Sequence, residues 1–477
     1  MQINRANPLM QRVDRFLYSP AYFLWIGGLT ILANVFSLEL YAYTGFVLTG
    51  IYVCLFARDL LPIFPIFACG YISPSLGNNP GVNNASIFSI SGGGLYLAVL
   101  LTGLGASMLY RLVTDPDFGG KKFLQKGRKL LPGMLVLGIC YAISGVASGQ
   151  WSEYGLRNLL FAFIQLVAIA GLYYLLSGAV RWDLAPKAYL FWTGICVGYV
   201  LLAELVNIFI SAEVISGGAI LRGRIITGWG HYNSIGAYLA IVIPLPFFLT
   251  GKGKYAAFAY LSAFLFFLGL LFTCSRGSIL VGAVIYGVGY FVSLLHSRRA
   301  RSMVWVHIIT LLIPALALVF FQENIQRLFG VVINTGLQSP ERRETYAEGF
   351  KQFLRFPIFG GSFFPVDYWP YAFATAETFA ALFPPRWHNT FVQLLATGGV
   401  TCLAAYVYHR VQTVQLFVKG FSTEKLFAGL SILALLLTSM VDCHFFNVGP
   451  VLFYSATLAF VEFQLSKPCK LLTDTEH

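Results

Sequence analysis

Apolar residues in this chain come in runs close to 20 residues long, separated by short polar stretches. A run of that length, wound as an α-helix, matches the roughly 30 Å hydrocarbon core of a bilayer. The pattern predicts fourteen spans, at 20–39, 41–57, 60–73, 93–113, 130–149, 156–178, 188–210, 231–250, 255–273, 277–295, 303–321, 389–409, 426–443 and 449–466. The run at 60–73 is the shortest and holds Pro62 and Pro65. The predicted class is all-α: a polytopic membrane protein with about 12–14 transmembrane helices and one long extracytoplasmic loop.

The polar intervals give the spans a direction. Arg5, Arg12 and Arg15 precede the first run. If the chain alternates from there, one face collects Lys121, Lys122, Lys126, Arg128 and Lys129, then Arg181 with Lys187, and Lys252 with Lys254. The same face receives Arg298, Arg299 and Arg301, then Arg410 with Lys419, then Lys467 with Lys470. Short lysine- and arginine-rich loops mark the cytoplasmic side, so both termini are predicted to be cytoplasmic. The polar, basic stretch from Gln2 to Arg15 leads into a run long enough to stay as a span, which predicts no cleaved signal.

Three outer segments follow. Ser73 to Ser91 carries no charge and reads as a connector; Ser211 to Gly230 carries Glu213, Arg222 and Arg224. Gln322 to His388 is the longest, with Tyr368, Trp369 and Tyr371. Within it, 340–355 has helical spacing, with Tyr346, Phe350 and Phe353 on one face, and reads as an amphipathic helix lying on the membrane. The chain thus divides into N-terminal transmembrane helices (1–210), transmembrane helices with arginine-bearing outer segments (211–321), the long extracytoplasmic loop (322–388) and C-terminal transmembrane helices (389–477).

Composition agrees. Of 477 residues, 57% are hydrophobic and 11% charged, against about 25% charged in soluble domains. The net charge of +12 sits mostly in short loops between apolar runs, so nucleic acid is not the expected partner. The eight cysteines form no CxxC pair. Cys69, Cys274 and Cys443 fall near outer helix ends, and no disulfide follows from the pattern.

The candidate chemistry begins at Arg276, in Ser275-Arg276-Gly277-Ser278, a charged break inside the otherwise apolar stretch 255–295. The alternation puts it on the outer face, where arginine is not the usual loop residue. Arg222, Arg224, Arg342 and Arg386 land on that side too. A single such arginine could snorkel at a hairpin tip; several together suggest an anion, which the planar guanidinium fork suits. If the segment is extended, Arg222 and Arg224, two apart, could grip two oxygens of a diphosphate. His388 opens the last arginine-bearing outer segment's helix and could take a proton near neutral pH, or simply cap the helix. His231 reads as a cap. Metal-dependent transferases use carboxylate pairs such as Asp-x-Asp; Glu341, Glu344, Glu348, Asp367 and Glu377 lack that spacing. Neither metal nor cofactor is expected.

These residues carry a resemblance. Ser275-Arg276-Gly277, then Arg342…Tyr346…Phe350…Pro357-Ile358-Phe359-Gly360-Gly361, resembles the Wzy_C family of O-antigen ligases and polymerases. His388-Asn389-Thr390-Phe391-Val392-Gln393-Leu394-Leu395 followed by Gly398-Gly399-Val400 is similar to that family's His-Asn helix start. Arg222/Arg224…Asn233…Pro244 is similar to its upstream segment. The likeness covers roughly 222–410 and departs where a second histidine often precedes His-Asn, here Arg386.

The resemblance implies a GT-C-like, metal-independent, inverting glycosyltransferase of the bacterial cytoplasmic (inner) membrane. Its donor would be an undecaprenyl diphosphate-linked glycan and its acceptor the hydroxyl of a glycan or glycolipid, with membrane lipid around both. His388 and Arg276 would be catalytic; Arg222, Arg224, Arg342, Arg386, Asn389 and Asn233 would bind substrate. A ligase is preferred, because one large outer loop before His388 suits a bulky acceptor. A polysaccharide polymerase or a protein O-glycosylating member is the alternative. An anion or lipid transporter would also place arginines at one face, but no inverted repeat or paired broken helices are visible.

Overall fold

The computed structural model describes residues 8–36, 38–70, 93–114, 127–146, 148, 151–211, 214–216, 219–227, 230–251, 253–297, 301–320, 322, 340–364 and 387–466. Helices dominate them. In the N-terminal half they are α1 (Pro8–Leu17), α2 (Pro20–Phe36), α3 (Glu39–Phe56), α4 (Ile63–Gly70), α5 (Gly93–Thr114), α6 (Leu131–Ala142) and α7 (Trp151–Leu166). A π turn, Val167–Gly171, joins α7 to α8 (Leu172–Ala179), and α9 (Tyr189–Ser211) follows. Then come α10 (Tyr232–Val242), α11 (Ala256–Phe272), α12 (Arg276–His296), α13 (Val304–Phe320) and α14 (Pro340–Arg355). The last are α15 (Thr390–Val418), α16 (Thr423–Thr438) and α17 (Val448–Phe460). The strands are two-residue pieces forming small antiparallel ribbons: β1 (Ile215–Ser216) with β2 (Ala219–Ile220), and β3 (Ile226–Thr227) with β4 (Gly230–His231).

Each predicted span falls on a helix. Among the described residues six helices are long and apolar enough to cross a bilayer, or seven if the bent pair α1–α2 (68°) is one span. That is fewer than the predicted 12–14: α3, α5, α6 and α11 contribute only shorter apolar stretches, and α4, α13 and α16 have 8, 17 and 16 residues. The class is all-α, and the chain is a multi-pass membrane protein. α10 lies at its centre: Ser234 to Val242 are all buried, and α9, α11, α12 and α16 pack around it. A helix apolar on every side is the one expected there.

Two features shape the end of the bundle where the glycine motifs meet. The first is a sharp reversal in α15 at Gly399, with φ 63° and ψ −160°. Phe391 and Tyr406 stack edge-on at 5.9 Å, although fifteen residues of straight helix would separate them by about 22 Å. The helix doubles back, and the turn locks against Pro357-Ile358-Phe359-Gly360-Gly361. Val400 N donates to Pro357 O (2.9 Å), Gly361 N to Ala396 O (2.8 Å) and Ser362 N to Thr397 O (3.0 Å). A Cβ on Gly399 would come within 2.4 Å of Ile358 O, and one on Gly360 within 2.3 Å of Gly398 N. Both glycines also have positive φ, so no other residue fits either place. The second feature is Asn158, fully buried. Its Nδ2 donates to the carbonyls of Tyr141, Ala142 and Ser144, and its Oδ1 accepts from Ser144 Oγ, Ser362 Oγ and Phe363 N. This one amide ties α6 and α7 to the glycine turn.

Two expectations need correction. Arg410, read as a loop cation, lies inside α15, which runs on to Val418. Its guanidinium sits over the rings of Tyr406 and Phe445 (4.4 Å each) and Tyr454 (4.9 Å); those π faces replace the water a loop would have supplied. α14 is a helix as expected, but its face is turned. Tyr346 packs inward with Trp387, Val392 and Ala396, while Phe350 and Leu354 are exposed.

Replacing Asn158 by leucine should take this amide away from the carbonyls of Tyr141, Ala142 and Ser144 and from the 362–363 turn. The expected cost is about 3 kcal/mol, read as a lowered thermal midpoint in detergent; an unchanged midpoint would show that the amide is dispensable.

Candidate functional site

Three helices begin at one end of the bundle, and each start is shaped by its own sequence. α10 opens after His231, whose Nδ1 accepts from Asn233 N (3.1 Å). α15 opens after Asn389, whose Oδ1 accepts from Phe391 N (2.8 Å) and Val392 N (3.3 Å). α12 opens at Arg276 after Ser275, which makes no side-chain cap. Instead Ser275 Oγ donates to Asn233 Oδ1 (2.9 Å) and lies 3.0 Å from Ser278 Oγ, from which it can accept, fastening the start of α12 to that of α10. Helix starts present unpaired N–H groups and the positive end of the macrodipole.

Arginines add to that charge. Arg276 is half-buried, and the like charges of Arg222 and Arg342, together with the Tyr232 hydroxyl, act on it. Arg222 stands on the 3₁₀ turn Arg222–Arg224 between the two ribbons, with its guanidinium 5.4 Å from the Tyr232 ring centre. Arg342, on α14, donates from Nη1 to Val441 O at 2.9 Å. Among the described residues no carboxylate is ion-paired with any of the three. Such a cluster suits an anion with several oxygens.

The short stretch after α16, Ser439-Met440-Val441-Asp442-Cys443, is where the chain's distant pieces meet. Thr390 N donates to Ser439 O (2.9 Å), Asn389 Nδ2 to Met440 O (2.8 Å), and Arg342 to Val441 O. Gly277, next to Arg276, lies against Val441. Asp442, 3% exposed in its side chain, faces His388, with Nδ1 and Oδ1 3.3 Å apart. The His388 side chain is 37% exposed. A carboxylate on Nδ1 fixes the tautomer, leaving Nε2 to accept a proton.

Backbone strain gathers here too. Cys274 (φ 54°) and His388 (φ 52°) are non-glycine residues in the left-handed region, a placement found where surrounding structure dictates it. Cys274 is buried, which raises its thiol above the ordinary cysteine range, while the nearby charge of Arg222 pulls it back.

Of the residues singled out from sequence, Arg222, Arg276 and Arg342 come together, and His388 and Asn389 lie beside them on the 439–443 stretch. Arg224 is exposed on the same turn as Arg222. Asn233 and Asn389 both bond within the protein through their side chains. Arg386 lies outside the described residues, as do Asp367 and Glu377. Asp442 was missed. A buried acid closing the apolar run 426–443 was the available signal, since ionisable groups at such depth are costly unless they serve a site.

A comparison with curated proteins finds no match. The stretch from 261 to 407 takes in Arg276, Arg342, the glycine turn and His388, whereas Arg222 and Asp442 reach the cluster from outside it. Residues 261–407 match the Wzy_C family model, described as O-antigen ligase, the family that the arginine, glycine and histidine motifs resemble.

Proposed function

We propose that this protein transfers a glycan from a polyprenyl diphosphate, undecaprenyl diphosphate in bacteria, to an acceptor hydroxyl at the outer face of the cytoplasmic membrane. The observation that carries the reading is the cluster of Arg222, Arg276 and Arg342, not ion-paired with any carboxylate among the described residues, beside the His388–Asp442 pair. The acceptor oxygen attacks the anomeric carbon as the bond from that carbon to the diphosphate oxygen breaks. The bonding electrons leave with the diphosphate, and the attack comes from the opposite face, inverting the anomer. His388 Nε2 takes the hydroxyl proton, and Asp442 stabilises the resulting imidazolium. Arg276, Arg222 and Arg342 meet the charge that grows on the leaving diphosphate, helped by the start of α12. Arg224 extends this basic surface toward the glycan, and Arg386 would add a further contact to phosphate or sugar. Asn233 and Asn389 act behind it, holding Ser275 and the 439–443 stretch. We favour a ligase over a polymerase, with a glycolipid as acceptor, because one long outer segment precedes His388. Both termini then lie in the cytoplasm.

With purified protein and lipid-linked donor in proteoliposomes, Arg276→Ala should lower transfer about 100-fold and weaken donor binding. His388→Ala should lower turnover by roughly 10²–10⁴-fold while donor binding survives. If both variants transfer glycan like the wild type at equal protein level, the reading fails.

Guanidinium groups supply the counter-charge here, so transfer should continue in EDTA at its ordinary rate. Loss of activity on chelation, restored by magnesium, would contradict this mechanism.

A further inference from the structure

His388 and Asp442 lie on separate pieces of chain, and the pairing at 3.3 Å depends on where each backbone is held. The histidine is the harder case, because its left-handed φ of 52° is strained for a residue with a Cβ. Its neighbours are pinned by other contacts. Trp387 N donates to Gln393 Oε1 (2.9 Å), and Asn389 Nδ2 to Met440 O (2.8 Å). The carbonyl of His388 itself accepts from the phenol of Tyr346 at 3.1 Å.

Tyr346 follows Arg342 by one helical turn on α14, so both side chains leave the same face. Arg342 grips the carbonyl of Val441, beside Asp442, and Tyr346 grips the carbonyl of His388. One face of one helix therefore clamps the two backbones that bring the pair together. The Tyr346 ring is packed with Trp387, Val392 and Ala396, which fixes the aim of its hydroxyl. Burial also raises the phenol above its ordinary range, against the pull of Arg342, so the oxygen keeps its proton and remains a donor.

We infer that Tyr346 is a positioning residue: its O–H holds His388 in the left-handed turn from which the imidazole reaches Asp442. The kinetic part of this inference rests on His388 acting as the base; the structural part does not. Tyr346→Phe keeps the packed ring and removes only the hydroxyl.

The test uses full-length protein, ¹⁵N-labelled at histidine, in lipid nanodiscs, with the His388 resonance assigned by its loss in His388→Gln. Asp442→Asn gives the reference shift of a His388 that has lost its carboxylate. Tyr346→Phe should move the His388 Nδ1 resonance toward that reference. It should also lower kcat of transfer on the order of tenfold to a hundredfold, with donor KM unchanged. A resonance that stays at the wild-type position in Tyr346→Phe overturns the inference, whatever happens to the rate. If the wild type transfers no glycan, the proposed function fails, and the resonance still decides whether Tyr346 holds the pair.

Discussion

Arg222 and Arg342 both repel Arg276, and among the described residues no carboxylate is ion-paired with any of the three. Charges gathered in this way would spread apart unless each were fixed from behind, and the half-burial of Arg276 and Arg342 strengthens the repulsion. The structure fixes each differently. Arg222 stands over the Tyr232 ring. Arg342 is tethered to Val441 O. Arg276 begins a helix whose start is fastened to α10 through Ser275 and Asn233. Three helix starts facing the same region add positive potential rather than relieving it. An anion arriving here replaces repulsion by attraction, and that is the physical basis of the functional reading.

The rigidity that sustains this comes from the junction of the two glycine motifs. Gly360 and Gly399 lie so close to the opposing backbone that a Cβ would collide with it. α14 is thereby seated on the doubled-back start of α15, and Asn158 carries the same junction to α6 and α7. Arg342, Tyr346 and His388 are consequently mounted on one block. Small displacements of such a block matter, since misplacing a reacting group by about 1 Å can cost a hundredfold in rate.

Much of this was legible in the chain. Runs near 20 residues report helices directly, because the apolar solvent demands that backbone groups pair within the segment. The out-of-place arginines were visible because charge is rare in such a sequence. What stayed hidden were pairings between distant pieces. Pro357–Gly361 and Gly398–Gly399 were two separate pieces of the resemblance, and nothing in their spacing says that they interlock. Asp442 falls inside the predicted span 426–443 and was not singled out there, yet it lies buried against His388. Arg410 looked like a loop residue because the rule for basic loops assumes water around the charge, whereas here it lies in a helix with aromatic faces around it. Tyr346 was read as lipid-facing because helical periodicity identifies an apolar face without saying what covers it.

The central claim is that the arginine cluster holds a diphosphate. Cryo-electron microscopy of the protein in lipid nanodiscs with a non-transferable polyprenyl diphosphate analogue tests it most directly. Density for the two phosphates is expected among Arg222, Arg276 and Arg342, with the anomeric end toward His388. Diphosphate density elsewhere on the molecule, with that cluster empty, would contradict it.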